Sequence, residues 1–327
     1  YLIKQSYYTY NRIDAFIDNN IKFKEIKADE IIRLRVIDIG SVFQTVLYYY
    51  IEYEKLVVIK KNYSPAREIE KLLKREIKNY EEIKHPFIPK FYGTIQYDEL
   101  SYPVIEFING KTLKNTDFSQ FSKTEIYEII FQMLLVINYL HHKHFIYRDL
   151  KPDNIIIDEN NNLVLIDFDR MIKEDYIYED EEEEQTAEFP SPFASPEINS
   201  KEITSKSDIY SLGKMIEYIM NQNKSIITNT EKTKLIQLYT KCIEDESELR
   251  PDISEILYDF TFYIIKNNII NNIKSIHYYS LAANHNDANV QYNLGSIYYE
   301  GKYIQQDINK AIYYFSLAAN QNHPYAQ

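Results

Sequence analysis

Glycine is scarce in this chain: 6 among 327 residues, where average usage of about 7% would give more than twenty. That scarcity excludes collagen-like and Gly/Ser-linker polypeptides, and a hydrophobic content of 45% with 15% aromatic residues excludes a disordered one. Each remaining glycine is expected where a side chain is intolerable. The single cysteine allows no internal disulfide and fits a reducing compartment. Bases are too few to balance acids, 37 against 49, and the formal charge of -12 argues against affinity for nucleic acid or an anionic membrane. No apolar run approaches the ~18 residues of a membrane span, so a cytoplasmic protein is expected. The length predicts about two domains.

Residues 1–30 are rich in Tyr and Asn and take no firm assignment. From 31 to 61 β-branched and aromatic residues dominate, with one glycine as a break, as in successive antiparallel strands. Residues 65–84 carry Ile69, Leu72, Leu73 and Ile77 at helical spacing and stop at His85-Pro86. More strand-like text follows over 91–108. Ser122 and Glu125 then form a capping box that opens a helix with Ile126, Ile130, Met133, Ile137 and Leu140 on one face. Residues 205–265 read mostly helical. The expected architecture is α+β: a small antiparallel-sheet lobe, then a larger helical lobe.

The densest chemistry lies in Tyr147-Arg148-Asp149-Leu150-Lys151-Pro152-Asp153-Asn154 and in Asp167-Phe168-Asp169. Phosphoryl transfer needs a carboxylate to receive the nucleophile's proton and oxygen ligands to hold Mg²⁺ against the phosphates. Asp149 suits the first task, and Asn154 and Asp167 suit the second. The runs Ile155–Ile157 and Leu163–Ile166 read as a hairpin, which sets these groups at neighbouring strand ends.

On these residues the stretch 31–265 resembles a eukaryotic protein kinase catalytic domain of the Ser/Thr type, a bilobal fold. The resemblance implies ATP and Mg²⁺ as cofactors and protein Ser/Thr hydroxyls as substrates. Val57-Val58-Ile59-Lys60 matches the third-strand lysine motif, and Glu76 falls where the family pairs a helix glutamate with that lysine. Ile105 resembles the gatekeeper, Glu106-Phe107-Ile108 the hinge, and Gly110 the small residue beyond it. Ile39, Gly40, Val46, Val58 and Ile156 complete the set expected to line the nucleotide, with Val46 over the adenine. Glu197 is expected to pair with Arg250, and Asp208 through Gly213 to form the helix that anchors the catalytic loop. Lys151, two residues after Asp149, is the Ser/Thr form; its ammonium would neutralise charge on the transferred group. Tyr80, Phe91, Tyr147 and Phe168 map to the family's regulatory spine.

The chain departs from the pattern at backbone-permissive positions. The phosphate-covering loop, Ile39 to Val46, keeps one of three glycines, which should weaken backbone approach to the phosphates. Val58 replaces a usual Ala and narrows the adenine pocket. Asp169 replaces a Gly, a change that Asp tolerates at unusual backbone angles. Pro190 stands where a threonine usually bonds the catalytic pair. Residues 174–188 hold nine acids and no base. They read as a solvated loop, as a charge imitating a phosphorylated residue for Arg148, or as a selector of basic substrates. Tyr176, Tyr178 and Thr186 are candidate phosphosites. His141-His142-Lys143-His144 reads as a dipole-complementing helix end, with a metal site as the weaker alternative. Cys242 is expected in the core.

The text SIHYYSLAANHNDANVQ at 275–291 recurs as AIYYFSLAANQNHPYAQ at 311–327, an offset of 36 that signals stacked helix pairs. With Asn293-Leu294-Gly295, Tyr298, Gly301, Asp307, Lys310-Ala311, Tyr314 and Ala318-Ala319, residues 266–327 resemble Sel-1-like repeats, in an array expected to be truncated. That family implies docking of protein partners. The expected function is a protein Ser/Thr kinase that recruits partners through its repeats. A pseudokinase scaffold and a weak ATP-binding switch stay open as alternatives.

Overall fold

The computed structural model describes residues 23–39, 43–62, 67–97, 99–175, 191–198, 203–222, 229–284, 287–302 and 304–326. Gly40, Pro190, Tyr176, Tyr178, Thr186 and most of the acidic segment lie outside these residues. The chain divides into two compact units.

The first unit holds the described residues up to Asn115 together with Asp153–Met171. Its main sheet has six strands: β1 (Lys24–Ile26), β2 (Ile31–Ile39), β3 (Phe43–Tyr50), β4 (Lys55–Asn62), β5 (Phe91–Tyr97) and β6 (Leu100–Glu106). Their spatial order is β1-β5-β6-β4-β3-β2. Alternation of side chains sends Val46, Tyr48, Tyr50, Val57 and Ile59 into one apolar core, where Ile69 and Leu73 of helix α1 (Arg67–Glu82) join them. A second sheet orders β10 (Leu163–Leu165), β9 (Ile155–Asp158) and β7 (Gly110–Thr112). The hairpin expected from Ile155–Ile157 and Leu163–Ile166 is therefore present. Its turn is pinned by Asp158, whose carboxylate accepts the N–H groups of Asn160 and Asn162.

One strand was not legible in the sequence. β1 falls within the unassigned residues 1–30 and pairs parallel with β5, bringing Lys24 opposite Gly93. Gly93 has φ +143°, and a Cβ there would lie 2.0 Å from the Lys24 carbonyl oxygen. Glycine is thus required twice over, by backbone angle and by space.

The second unit holds Thr116–Pro152 and the described residues from Ile172 onward. Helix α2 (Lys123–His142) starts at the expected capping box of Ser122 and Glu125. It is followed by β8 (Phe145–Ile146), which pairs antiparallel with β11 (Ile172–Lys173). Then come α3 (Lys206–Gln222), α4 (Asn229–Cys242) and α5 (Ile253–Lys266). Cys242 is buried, as expected, and burial pushes its thiol up to about 12. The repeat region forms α6 (Asn272–Asn284), α7 (Ala288–Glu300) and α8 (Ile308–Asn320), so α6 and α8 carry the 36-residue offset.

The first repeat is joined directly to the helical lobe. Gln132 Nε2 donates to Tyr278 Oη at 3.2 Å, and Tyr278 also meets Phe131 edge-on at 5.4 Å. Lys274 pairs with Glu128 at 2.7 Å, and Thr124 donates to the Ile269 carbonyl. Between α7 and α8, Gly295 allows the Phe315 ring to lie where a Cβ would come within 2.7 Å of it. Among the described residues no helix is long and apolar enough to cross a membrane.

Gly93→Ala should cost about 1–3 kcal/mol, since strain at such a φ and a backbone clash act together. Denaturant unfolding would measure the loss, and hydrogen exchange should localise it to residues 24–26 and 93–95. Full protection at Lys24–Ile26 in the variant would contradict this account of Gly93.

Candidate active site

In the first unit Lys60 lies on β4 and Glu76 on α1, and their charged atoms stand 3.6 Å apart. The Lys60 ammonium also lies 2.6 Å from Asp167. Burial alone would lower the lysine, but the carboxylates of Asp167, Glu76 and Asp169 outweigh it and hold it well above its ordinary value. Glu76 is raised as well, because burial outweighs the pull of Lys60. Asp169 is pushed up to about 7, first by burial and then by the charge of Asp167. Glu76 and Asp167 thus share one ammonium, and Asp169 feels its charge.

Asn154 is brought beside this cluster because its carbonyl accepts the Ile166 N–H at 3.0 Å, next to Asp167 in the chain. The oxygen donors of Asn154, Asp167 and Asp169, with their excess negative charge, fit a hard divalent cation such as Mg²⁺. The backbone strain expected at Asp169 lies elsewhere. Asp169 is not among the positive-φ residues, whereas Asp167 has φ +69°. The replaced glycine is therefore not needed for backbone freedom here.

Sequence reasoning missed Asn79, one turn beyond Glu76 on the same face of α1. Its buried amide donates to the Phe168 carbonyl at 2.8 Å and to the Met171 carbonyl at 2.9 Å. One side chain therefore fixes the turn that follows Asp167 onto α1. Its place three residues after Glu76, on the same helix face, was the available signal. Tyr80, the next residue, stacks on Phe91 at 5.7 Å and meets Phe168 edge-on at 5.2 Å. Those are three of the four expected spine residues; Tyr147, also buried, belongs to the second unit.

Among the residues expected to line the nucleotide, Val46 lies elsewhere. Val58 pairs with Leu47 on one side and with Ile105 on the other, while Lys60 pairs with Thr45. Directly opposed residues share a face, so Thr45 and Leu47 flank the Lys60 face. Val46 instead pairs with Ile59 and is buried in the core cluster, so it does not face the Val58 side. A shift of one residue in reading β3 inverts every side chain along it. In the hinge, the Glu106 N–H donates to the Lys90 carbonyl and the Phe107 N–H to the Leu56 carbonyl. Ile108 is buried, Ile156 is half-buried on β9, and Ile39 is exposed at the end of β2. Gly110 packs so closely on β9 that a Cβ would lie 2.2 Å from the Ile157 carbonyl oxygen.

In the second unit Lys151 Nζ donates to both oxygens of Asp149, at 2.9 and 2.7 Å. The loop bearing them is anchored by Asp208 of α3, which is fully buried. Its carboxylate accepts the N–H groups of Tyr147 and Arg148, each at 2.8 Å, and meets His141 Nε2 at 2.9 Å. Arg148 consequently holds φ +71°. His144 instead meets Glu174, so the histidine run does not converge, and the described residues contain no cluster of three or more metal-binding side chains from His, Cys, Asp and Glu. The buried Arg250 guanidinium grips Glu197 at 2.5 and 3.0 Å, as expected.

Comparison with known proteins agrees with this arrangement. The protein kinase domain family matches residues 33–273, and Sel1 repeats match 268–287 and 288–323. The chain is similar to an Aurora kinase of Eremothecium gossypii, 30% identical over 148 residues, covering 44% of this chain and 39% of that protein. It is similar to the serine/threonine-protein kinase OXI1 of Arabidopsis thaliana, 38% identical over 89 residues, covering 26% and 21%. A probable serine/threonine-protein kinase of Dictyostelium discoideum, samkA, is 34% identical over 166 residues, covering 49% and 25%. These matches each span well under half of the relative's length.

Asn79→Leu should strand two buried carbonyls and destabilise the first unit by about 2 kcal/mol. Hydrogen exchange should quicken at Phe168–Met171 more than in β3–β4. Uniform loss across the unit would mean that Asn79 serves only general packing.

Proposed function

The chain belongs to the protein kinase family, and from that premise we propose that it transfers the γ-phosphoryl group of ATP to Ser or Thr hydroxyls of proteins. The observation that carries this reading is the completeness of its charged pairs: Lys60 with Glu76 and Asp167, and Asp149 with Lys151. In this reading Asp149 accepts the proton of the attacking hydroxyl, and Lys151 neutralises charge developing on the transferred group. Lys60 binds the nucleotide's phosphates. Asn154 and Asp167 hold Mg²⁺, which when bound would neutralise phosphate charge. Thr45, Leu47, Val58, Ile105, Ile108 and Ile156 offer apolar surface to the base, and the hinge backbone from Glu106 to Ile108 offers its polar edge. Ile39 and Gly40 belong to the loop expected over the phosphates.

The Sel1 repeats recruit protein partners in this proposal, and their attachment to α2 and α5 keeps any partner tied to the helical lobe. The acidic run at 174–188 favours basic substrates. A second reading, a scaffold without turnover, has one specific support: the single glycine in the loop from Ile39 to Val46.

The test is radiolabelled phosphotransfer by wild type, Asp149→Asn and Lys60→Met, with nucleotide affinity measured in parallel. Asp149→Asn should lower the rate about 10²–10⁴-fold while nucleotide affinity is retained, because a positioned base contributes on that scale. Lys60→Met should impair both. Equal incorporation in all three proteins would reject the kinase reading, and nucleotide binding without turnover in wild type would favour the switch.

A further inference from the structure

Asn79 is a buried amide on α1, the helix that also carries Glu76. Its nitrogen donates to the Phe168 and Met171 carbonyls, at 2.8 and 2.9 Å. These are the two ends of a turn that the Met171 N–H closes onto the Phe168 carbonyl at 3.3 Å. We propose that Asn79 is a positioning residue for a divalent cation: through Phe168 it holds the Asp167 carboxylate in place before cation or nucleotide arrives. The proposal rests on the reading of Asn154 and Asp167 as the cation's ligands and adds the residue that sets their geometry.

Three observations carry it. First, one helix holds Phe168 at its N–H, its carbonyl and its ring. The N–H donates to the Glu76 carboxylate, the carbonyl accepts from Asn79, and the ring meets Tyr80 edge-on at 5.2 Å. Positions 76, 79 and 80 share one helix face, so these contacts form together. The Asn79 contact also reaches Met171, and so sets the path of the chain that leaves Asp167.

Second, Asp167 is pinned from the other side as well. The Ile166 N–H donates to the Asn154 carbonyl at 3.0 Å, which ties together the stretches bearing the two cation-suited side chains. Asp167 itself holds φ +69°, an angle that a residue with a side chain keeps only where its surroundings impose it. Its main chain is thus fixed by Asn154 on one side and by α1 on the other, with the carboxylate 2.6 Å from the Lys60 ammonium.

Third, the chemistry at position 79 is specific. A carboxamide offers two N–H donors from one atom, which is what two neighbouring carbonyls need, and an aliphatic side chain offers none. Mg²⁺ demands near-ideal octahedral oxygen geometry and tolerates little displacement of a ligand. A residue that orients a ligating carboxylate therefore acts on cation affinity without touching the cation, commonly by about 10–100-fold.

The test is a Mn²⁺ titration of the full chain, followed by electron paramagnetic resonance without nucleotide, so that no turnover is needed. Mn²⁺ shares the oxygen preference of Mg²⁺. Wild type should show a site that Asp167→Asn removes, and that difference separates it from cations held by the acidic run at 174–188. Asn79→Leu should weaken this site about tenfold. Asn79→Ala, which leaves room for water at the two carbonyls, should weaken it too and serves if the leucine variant does not fold. Ile69→Val removes one buried methyl from the same helix; it should lower stability and leave Mn²⁺ affinity within about twofold. Absence of an Asp167-dependent site in wild type, unchanged affinity in folded Asn79 variants, or an equal loss in Ile69→Val would each overturn the proposal. Phosphotransfer by the same proteins is scored separately. If none shows transfer while the Asn79 variants lose Mn²⁺, the kinase reading fails and the positioning role stands. If wild type transfers phosphate and the Asn79 variants keep their Mn²⁺ affinity, the positioning role fails and the kinase reading stands.

Discussion

Lys60 sets the terms for the first unit. Its ammonium stands 2.6 Å from Asp167 and 3.6 Å from Glu76, with Asp169 acting on the same charge. A buried carboxylate such as Glu76 is tolerable only beside a cation, so α1 must present that residue to β4. Once α1 is placed, Asn79 and Tyr80 follow on the same face and hold Phe168 by its carbonyl and its ring. The strained φ at Asp167 persists because these contacts over-determine it. Burial and the charge of Asp167 raise the Asp169 carboxyl even though Lys60 and Arg170 act against them. In the second unit Asp208 has the corresponding role, fixing the Asp149 loop through two backbone N–H groups.

How much of this was legible depended on whether a residue's role is local. Ser122 and Glu125 announced α2 because a capping box acts within four residues. Glu197 and Arg250 were legible through motif resemblance, though 53 residues separate them. By contrast, β1 was illegible: three residues, Lys-Glu-Ile, carry no pattern, and their strand exists only because β5 offers an edge. Gly93 was opaque for the same reason, since its neighbour across the sheet was unknown. Val46 was misplaced because the loop's eroded glycines left the alignment one residue loose, and a period of two punishes that error fully. Asn79 was overlooked because an Asn in a charged helix looks like surface until the turn it supports is in view.

The repeats are not an appendage on a string. Tyr278, Lys274 and Ile269 bind α2 by a hydrogen bond, an ion pair and a carbonyl acceptor. Burial pushes the Glu128 carboxyl up, against Lys274, so the ion pair matters most for what its loss would leave behind: an uncompensated acid at a helix interface.

The 36-residue offset leaves equivalent residues in unequal surroundings. Ile276 on α6 is 6% exposed, whereas its counterpart Ile312 on α8 is 58% exposed. The first position is covered because α6 lies against α2 and α5. In a stack where each unit is stabilised by its neighbour, an end unit normally needs a dedicated cap. Here the helical lobe is that cap. A disturbance of α2 or α5 is therefore felt first in α6, the repeat helix packed on both.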